Sequence, residues 1–219
     1  MVDIFDEVEE DLRAERAEKL LKKYAGAIIG AACAVVLAVA GWQAWGWWTA
    51  RQDRAAAIRY IAAMTAADAA GSNTASQQGA LRDFDALVVS APDGYRTLAR
   101  LRAAALKAEG GDVAGASALW NQVAADDSVD KLLRDLASLL WAQHQIDAGD
   151  PALVSARLKA LAVPDNPWYP LAEEQIAVLD LHQGKTDDAK AALRKLAQDV
   201  TAPNGVRGRA AGLLSQLGG

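Results

Sequence analysis

Apolar and polar positions follow two different patterns along this chain. Residues 24–42 read YAGAIIGAACAVVLAVAGW, without a charge or a side-chain amide, and the uncharged run extends from Tyr24 to Ala50. A helix rises about 1.5 Å per residue, so roughly 20 such residues cross the hydrocarbon of a bilayer. Every backbone N–H and C=O is then paired within the segment, as lipid requires. The run predicts a transmembrane helix over 24–48. Trp42, Trp45, Trp47 and Trp48 cluster at its far end and Tyr24 marks the near end, positions where amphipathic rings favour the interface. Lys22 and Lys23 stand just outside, with stems long enough to reach headgroups.

From residue 51 the apolar residues recur at intervals of three and four, broken by short Gly, Asp and Pro stretches, which predicts an all-α domain over 51–219. A first helix is expected from about Asp53 to Ala67, continuing the membrane helix or bending off it, with Ile58, Ile61 and Met64 as its core face. GSNTAS, residues 71–76, reads as a loop, and Leu81, Phe84, Leu87 and Val88 form the next apolar face.

A repeat follows. Residues 95–126 and 168–199 align at a shift of 73, matching Leu98 to Leu171, Ala99 to Ala172, Leu106 to Leu179, Gly111 to Gly184 and Ala116 to Ala189. A divergent copy between them carries Leu136, Ala137 and Gly149, so the unit is about 34–38 residues, the period of a helix–turn–helix solenoid of tetratricopeptide type. Ala99 and Ala172 let paired helices approach closely. Gly111, Gly149 and Gly184 are expected to end helices in the left-handed conformation. The segment GVRGRAAGLLSQLGG predicts a last short helix that buries Leu213, Leu214 and Leu217 and caps the stack.

Before the membrane segment, residues 1–23 form an acidic tail whose later part reads as a helix with Glu15–Lys19 and Glu18–Lys22 pairs one turn apart. Orientation follows the Lys and Arg count near each end. Arg13, Arg16, Lys19, Lys22 and Lys23 precede the span, and Arg51, Arg54 and Arg59 follow it. The excess places the N-terminus in the cytoplasm and the helical domain outside it. A small-residue pattern at Ala38-Val39-Ala40 would suit leader cleavage, but the acidic tail opposes that reading. Gly26, Gly30 and Cys33 share one helix face, and small residues at such spacing let membrane helices associate.

Charge and composition narrow the chemistry. The net charge of -5 and the lack of a basic stripe argue against a nucleic-acid binder. The single cysteine lies inside the apolar run, so it serves neither an internal disulfide nor a Cys/His catalytic pair. His144 and His182 precede helix-ending turns, without a second ligand at metal spacing. Asp126, Asp127 and Asp130, and again Asp187 and Asp188, adjoin predicted helix starts, where carboxylates meet free N–H groups. With no phosphate loop or nucleophile elbow, the residues predict no enzyme, no cofactor and no metal. Trp120 and Trp141 lie at helical spacing with leucines, as core residues do. Trp168 and Tyr169 open a repeat. If they face outward they offer a protein-binding anchor, with Arg96, Arg100 and Arg134 as polar contacts.

Taken together, the acidic tail, KLLKKY, the apolar helix ending in GWQAWGWW, the Ala- and Ile-rich helix after it and the degenerate repeats resemble the ancillary SecYEG translocon subunit family. That family consists of periplasmic tetratricopeptide-repeat-like proteins anchored in the bacterial inner membrane. The resemblance implies a non-enzymatic, chaperone-like scaffold whose partners are the SecYEG translocon, periplasmic chaperones and exported polypeptides. The residues leave a second reading open, a generic tetratricopeptide adaptor that assembles another cell-envelope complex.

Overall fold

The computed structural model describes the backbone of residues 4–71 and 73–218, and side chains from Lys19 onward except at 20 and 21. Among the described residues it contains nine helices and no strand: α1 (Ile4–Ala70), α2 (Thr74–Ser90), α3 (Asp93–Glu109), α4 (Val113–Ala124), α5 (Lys131–Gln145), α6 (Pro151–Leu161), α7 (Tyr169–His182), α8 (Thr186–Gln198) and α9 (Asn204–Gln216). The chain divides into two compact units, Met1–Arg54 and Ala55–Gly219.

The first unit holds the apolar run of α1. The segment Lys22–Ala70 of α1 is long and apolar enough to cross a membrane. Ile28, Val35, Leu37 and Val39 are each more than half exposed. Beyond the apolar run the residues stay helical as far as Ala70. No Gly or Pro interrupts residues 47–70, and the one β-branched hydroxyl at the junction, on Thr49, donates back to the carbonyl of Trp45 at 3.1 Å without breaking the ladder. The expected Glu15–Lys19 and Glu18–Lys22 pairs lie outside the described residues.

In the second unit α1 runs on to Ala70 and stops at Gly71, whose φ of +49° favours glycine. The expected loop over 71–76 is correspondingly shorter. Asn73 is an N-cap: its side-chain oxygen accepts the N–H of Ser76 at 3.1 Å, which pulls Thr74–Ser76 into α2.

The face that α1 buries differs from the one expected. Ile58 and Ile61 are 70% and 63% exposed, while Ala56, Ala63, Ala67 and Ala70 are buried, with Tyr60 and Met64 packed beside them. Phe84 and Leu87 of α2 and Ala99 and Ala103 of α3 fill the other side of this cluster. The small methyl groups of these alanines leave room for Phe84 and Leu87, where an isoleucine would need more space. Tyr60 completes the contact edge-to-face with Phe84, ring centroids 5.6 Å apart.

The repeat is visible in which residues bond. Arg102 reaches back to Asp68, Arg157 to Asn121, Trp168 to Leu132 and Arg209 to Glu174, over separations of 34, 36, 36 and 35 residues. Each bond joins a helix, or the residue leading into it, to the helix two before it, one repeat back. Trp120 and Trp141 are buried in the largest core cluster, as the spacing predicted, and Ala99 and Ala172 have no exposed surface.

Two of the three turn glycines behave as expected. Gly111 and Gly184 have φ of +86° and +74°. Gly149 is a correction, since it is not among the left-handed residues. Its N–H bonds to the carbonyl of Gln145 at 2.7 Å, and a Cβ on it would stand 2.7 Å from that same oxygen. Glycine is needed there because the turn folds tightly onto α5. A second correction concerns α9. It buries Val206 and Ala210, whereas Leu213, Leu214 and Leu217 are only half-buried. The helix packs against α8 and α7 through its buried Val206 and Ala210.

Candidate protein-binding groove

A polar–apolar depression lies along α5. Asp130 caps this helix, its carboxylate accepting the N–H of Leu132 at 2.8 Å. That start brings Lys131, Leu132 and Asp135 onto the side facing the connection between α6 and α7. Residues 162–168 of this connection are pinned by two side chains. Asn166, only 6% exposed, donates its amide to Asp135 at 2.8 Å and accepts the N–H of Trp168 at 2.9 Å. The Trp168 indole N–H in turn donates to the carbonyl of Leu132 at 2.9 Å. Both bonds cross between neighbouring repeats, so the loop is held against α5 and leaves a trough beside it.

The trough has two parts that meet at Lys131 and Asp135, themselves ion-paired one helical turn apart. One part, about 530 Å³, lies among α4, α5 and α6, with Ala124, Ala125 and Ala160 as apolar wall and Asn121 and Ser138 as polar groups. The other, about 350 Å³, is walled by Leu132, Val163 and Pro167. Leu132 and Val163 are 44% and 45% exposed. Arg157 closes the first part. Its guanidinium lies 3.8 Å over the Trp141 ring and donates to Asn121 at 2.7 Å, and burial pushes its pKa down from the ordinary arginine value. The trough thus offers apolar walls at Leu132 and Val163 with amide and carboxylate groups between them.

The residues singled out from the sequence are placed as follows. Trp168 and Tyr169 are half-buried; Trp168 packs against the main core cluster, and its N–H is spent on Leu132. Arg96 and Arg100 line a separate depression of about 190 Å³ with Asp93 and Asp126. Arg96 pairs with Asp93 at 2.9 Å, Arg100 with Asp126 at 3.6 Å, and Arg134 with Asp127. The hydroxyl and N–H of Ser128, with Arg100 beyond them, hold the Asp126 carboxyl below the usual carboxylate range. His144 stacks on Trp120, ring centroids 4.8 Å apart, and His182 faces Asp147 at 3.4 Å. Among the described residues no group of three His, Cys, Asp or Glu side chains is placed to hold a metal ion.

Lys131, Asp135, Val163 and Asn166 escaped the sequence reading. The available signal was the connection VPDNPW, longer and richer in proline than the three-residue turns at 110–112 and 183–185.

The model of a tetratricopeptide repeat-like domain family matches residues 19–201. With that match spanning most of the sequence, the chain belongs to the tetratricopeptide repeat-like domain family, whose members are typically interaction scaffolds. No curated protein and no solved structure matches it.

Proposed function

We propose that this protein is a single-pass inner-membrane scaffold, N-terminus in the cytoplasm, whose repeat domain works in the periplasm as a chaperone-like receiver of polypeptides leaving the SecYEG translocon. The observation that carries the reading is the open trough at Lys131 and Asp135, built across repeats of an interaction-scaffold family on a chain with one membrane-length apolar helix. An extended segment entering it covers Leu132 and Val163, exposed apolar surface that costs free energy in water. The lysine and arginine balance around the apolar run supports the orientation, and the resemblance to ancillary translocon subunits supports the partner. Trp168 acts from beneath, by holding the trough's loop in place, and Arg96, Arg100 and Arg134 offer a second polar contact surface.

The test is co-purification from mild detergent, with a tag after Gly219 and a chain lacking residues 1–50 as control. Export-channel subunits recovered with the full chain and lost with the truncation support the reading. A stoichiometric complex of other envelope proteins, without the channel, replaces it with the adaptor reading. Leu132→Asp with Val163→Asp in the full chain separates groove from anchor: client segments are lost while the channel is retained.

A further inference from the structure

We infer that the far end of the apolar helix carries a binding site for anionic phospholipid headgroups, formed by Arg51 and Arg54 beside Trp47; this rests on the membrane-anchor reading above. Trp47, Arg51 and Arg54 follow one another at i, i+4 and i+7, so they share one face of α1. In an α-helix long side chains lean toward the N-terminus. At the start of the apolar run that direction leads away from the bilayer. At its end it leads back toward it.

Arg51 does fold back in this way, its guanidinium lying 5.5 Å from the centre of the Trp47 ring. Counted along the helix, Arg51 is about 4.5 Å and Arg54 about 9 Å beyond Trp48. Arginine side chains leaning back from those heights put both guanidinium groups just outside the tryptophans, where lipid phosphates lie.

Some arginines of the repeat stack are already neutralised by a neighbouring acid. Arg96, Arg100, Arg102, Arg134 and Arg209 each meet a carboxylate. Arg51 and Arg54 meet none among the described residues, and both are exposed. Asp53 is the nearest acid in sequence, one or two positions away, and residues so spaced face different sides of a helix. Two unneutralised guanidinium groups at phosphate depth favour a headgroup with net negative charge over a zwitterionic one, whose amine offsets its phosphate. The same charges would repel across the face if a second copy packed there in parallel.

The test places the full chain in phosphatidylcholine vesicles containing 30 mol% phosphatidylglycerol, with brominated acyl chains on one lipid or the other, and reads quenching of tryptophan fluorescence. The expected result is stronger quenching, per mole, by brominated phosphatidylglycerol. Affinity for the anionic lipid should fall about fivefold for each arginine replaced. Arg51→Gln with Arg54→Gln should bring the two quenching efficiencies together, while Arg82→Gln with Arg194→Gln, exposed on the repeat stack, should leave the difference intact. Equal quenching in the unaltered chain, or a preference that survives R51Q/R54Q, overturns the inference and leaves the anchor standing. No quenching by either lipid overturns the anchor reading and this site with it.

Discussion

Arg209 on α9 grips Glu174 on α7 through two hydrogen bonds of 2.6 Å, one to each carboxylate oxygen. Glu174 keeps only 4% of its side-chain surface in water, whereas Arg209 keeps 56%. The carboxylate is therefore the committed partner. The arginine reaches in from outside, and the bond raises its pKa above the ordinary arginine value. This fork is the last of the bonds that join a helix to its counterpart one repeat back.

Arg209→Ala leaves a buried carboxylate without its cation. We expect a loss of about 2 kcal/mol, less than the ~3–5 kcal/mol of a wholly buried pair because one partner is half in water. Glu174→Met combined with Arg209→Met should recover most of it. Thermal melts of the full chain in detergent, followed by circular dichroism, measure both.

The turn glycines should separate by mechanism. Gly184→Ala and Gly111→Ala force a side chain into the left-handed region and should each cost about 1–2 kcal/mol. Gly184→Asn should recover part of that, since asparagine tolerates the conformation. Gly149→Asn should not improve on Gly149→Ala, because its obstacle is the Gln145 carbonyl. Equal responses at Gly149 and Gly184 would contradict the assigned backbone.

The buried alanine face of α1 is checked by opposite substitutions. Ala63→Leu overfills the contact with α2 and α3 and should destabilise by about 1–3 kcal/mol. Ile58→Gln and Ile61→Gln, on exposed positions, should stay within about 0.5 kcal/mol of the parent. The reverse order of effects would restore the isoleucine face as the core.

Acid stability follows from three turn carboxylates. Asp112 is held low by the Gly115 N–H and then Lys107, Asp126 by Ser128, and Asp199 by Thr201. A carboxyl whose folded pKa is depressed leaves the unfolded chain binding more protons, so stability rises with pH through that window. These contributions are complete above the ordinary value of 3.8 and disappear as pH falls through the folded values. Melting temperature should thus be flat from pH 7 to 5 and drop toward pH 3. With all three aspartates replaced by alanine, the neutral-pH melting temperature should be lower and the acid slope shallower.

Much of this architecture is local and so readable along the chain. Twenty-odd uncharged residues with tryptophans at one end satisfy their own backbone whatever surrounds them. The shift of 73 between Leu98 and Leu171, or Gly111 and Gly184, spans two repeat units because each unit needs the same small and large residues at the same contacts. The burial of Trp120 and Trp141 follows from the same helical periodicity. Tertiary packing alone decided the rest. Ile58 and Ile61 were natural core residues by size, yet they stay exposed while Ala56, Ala63 and Ala67 are buried against residues of α2 and α3. Gly149 carried the mark of a left-handed turn, but its role is set by its distance to Gln145. The trough at Lys131 and Asp135 draws on α4, α5, α6 and a loop that sequence places some forty residues apart. Periodicity reports which residues can face inward; only the neighbouring helices determine how near they come, and that distance decides which of them do.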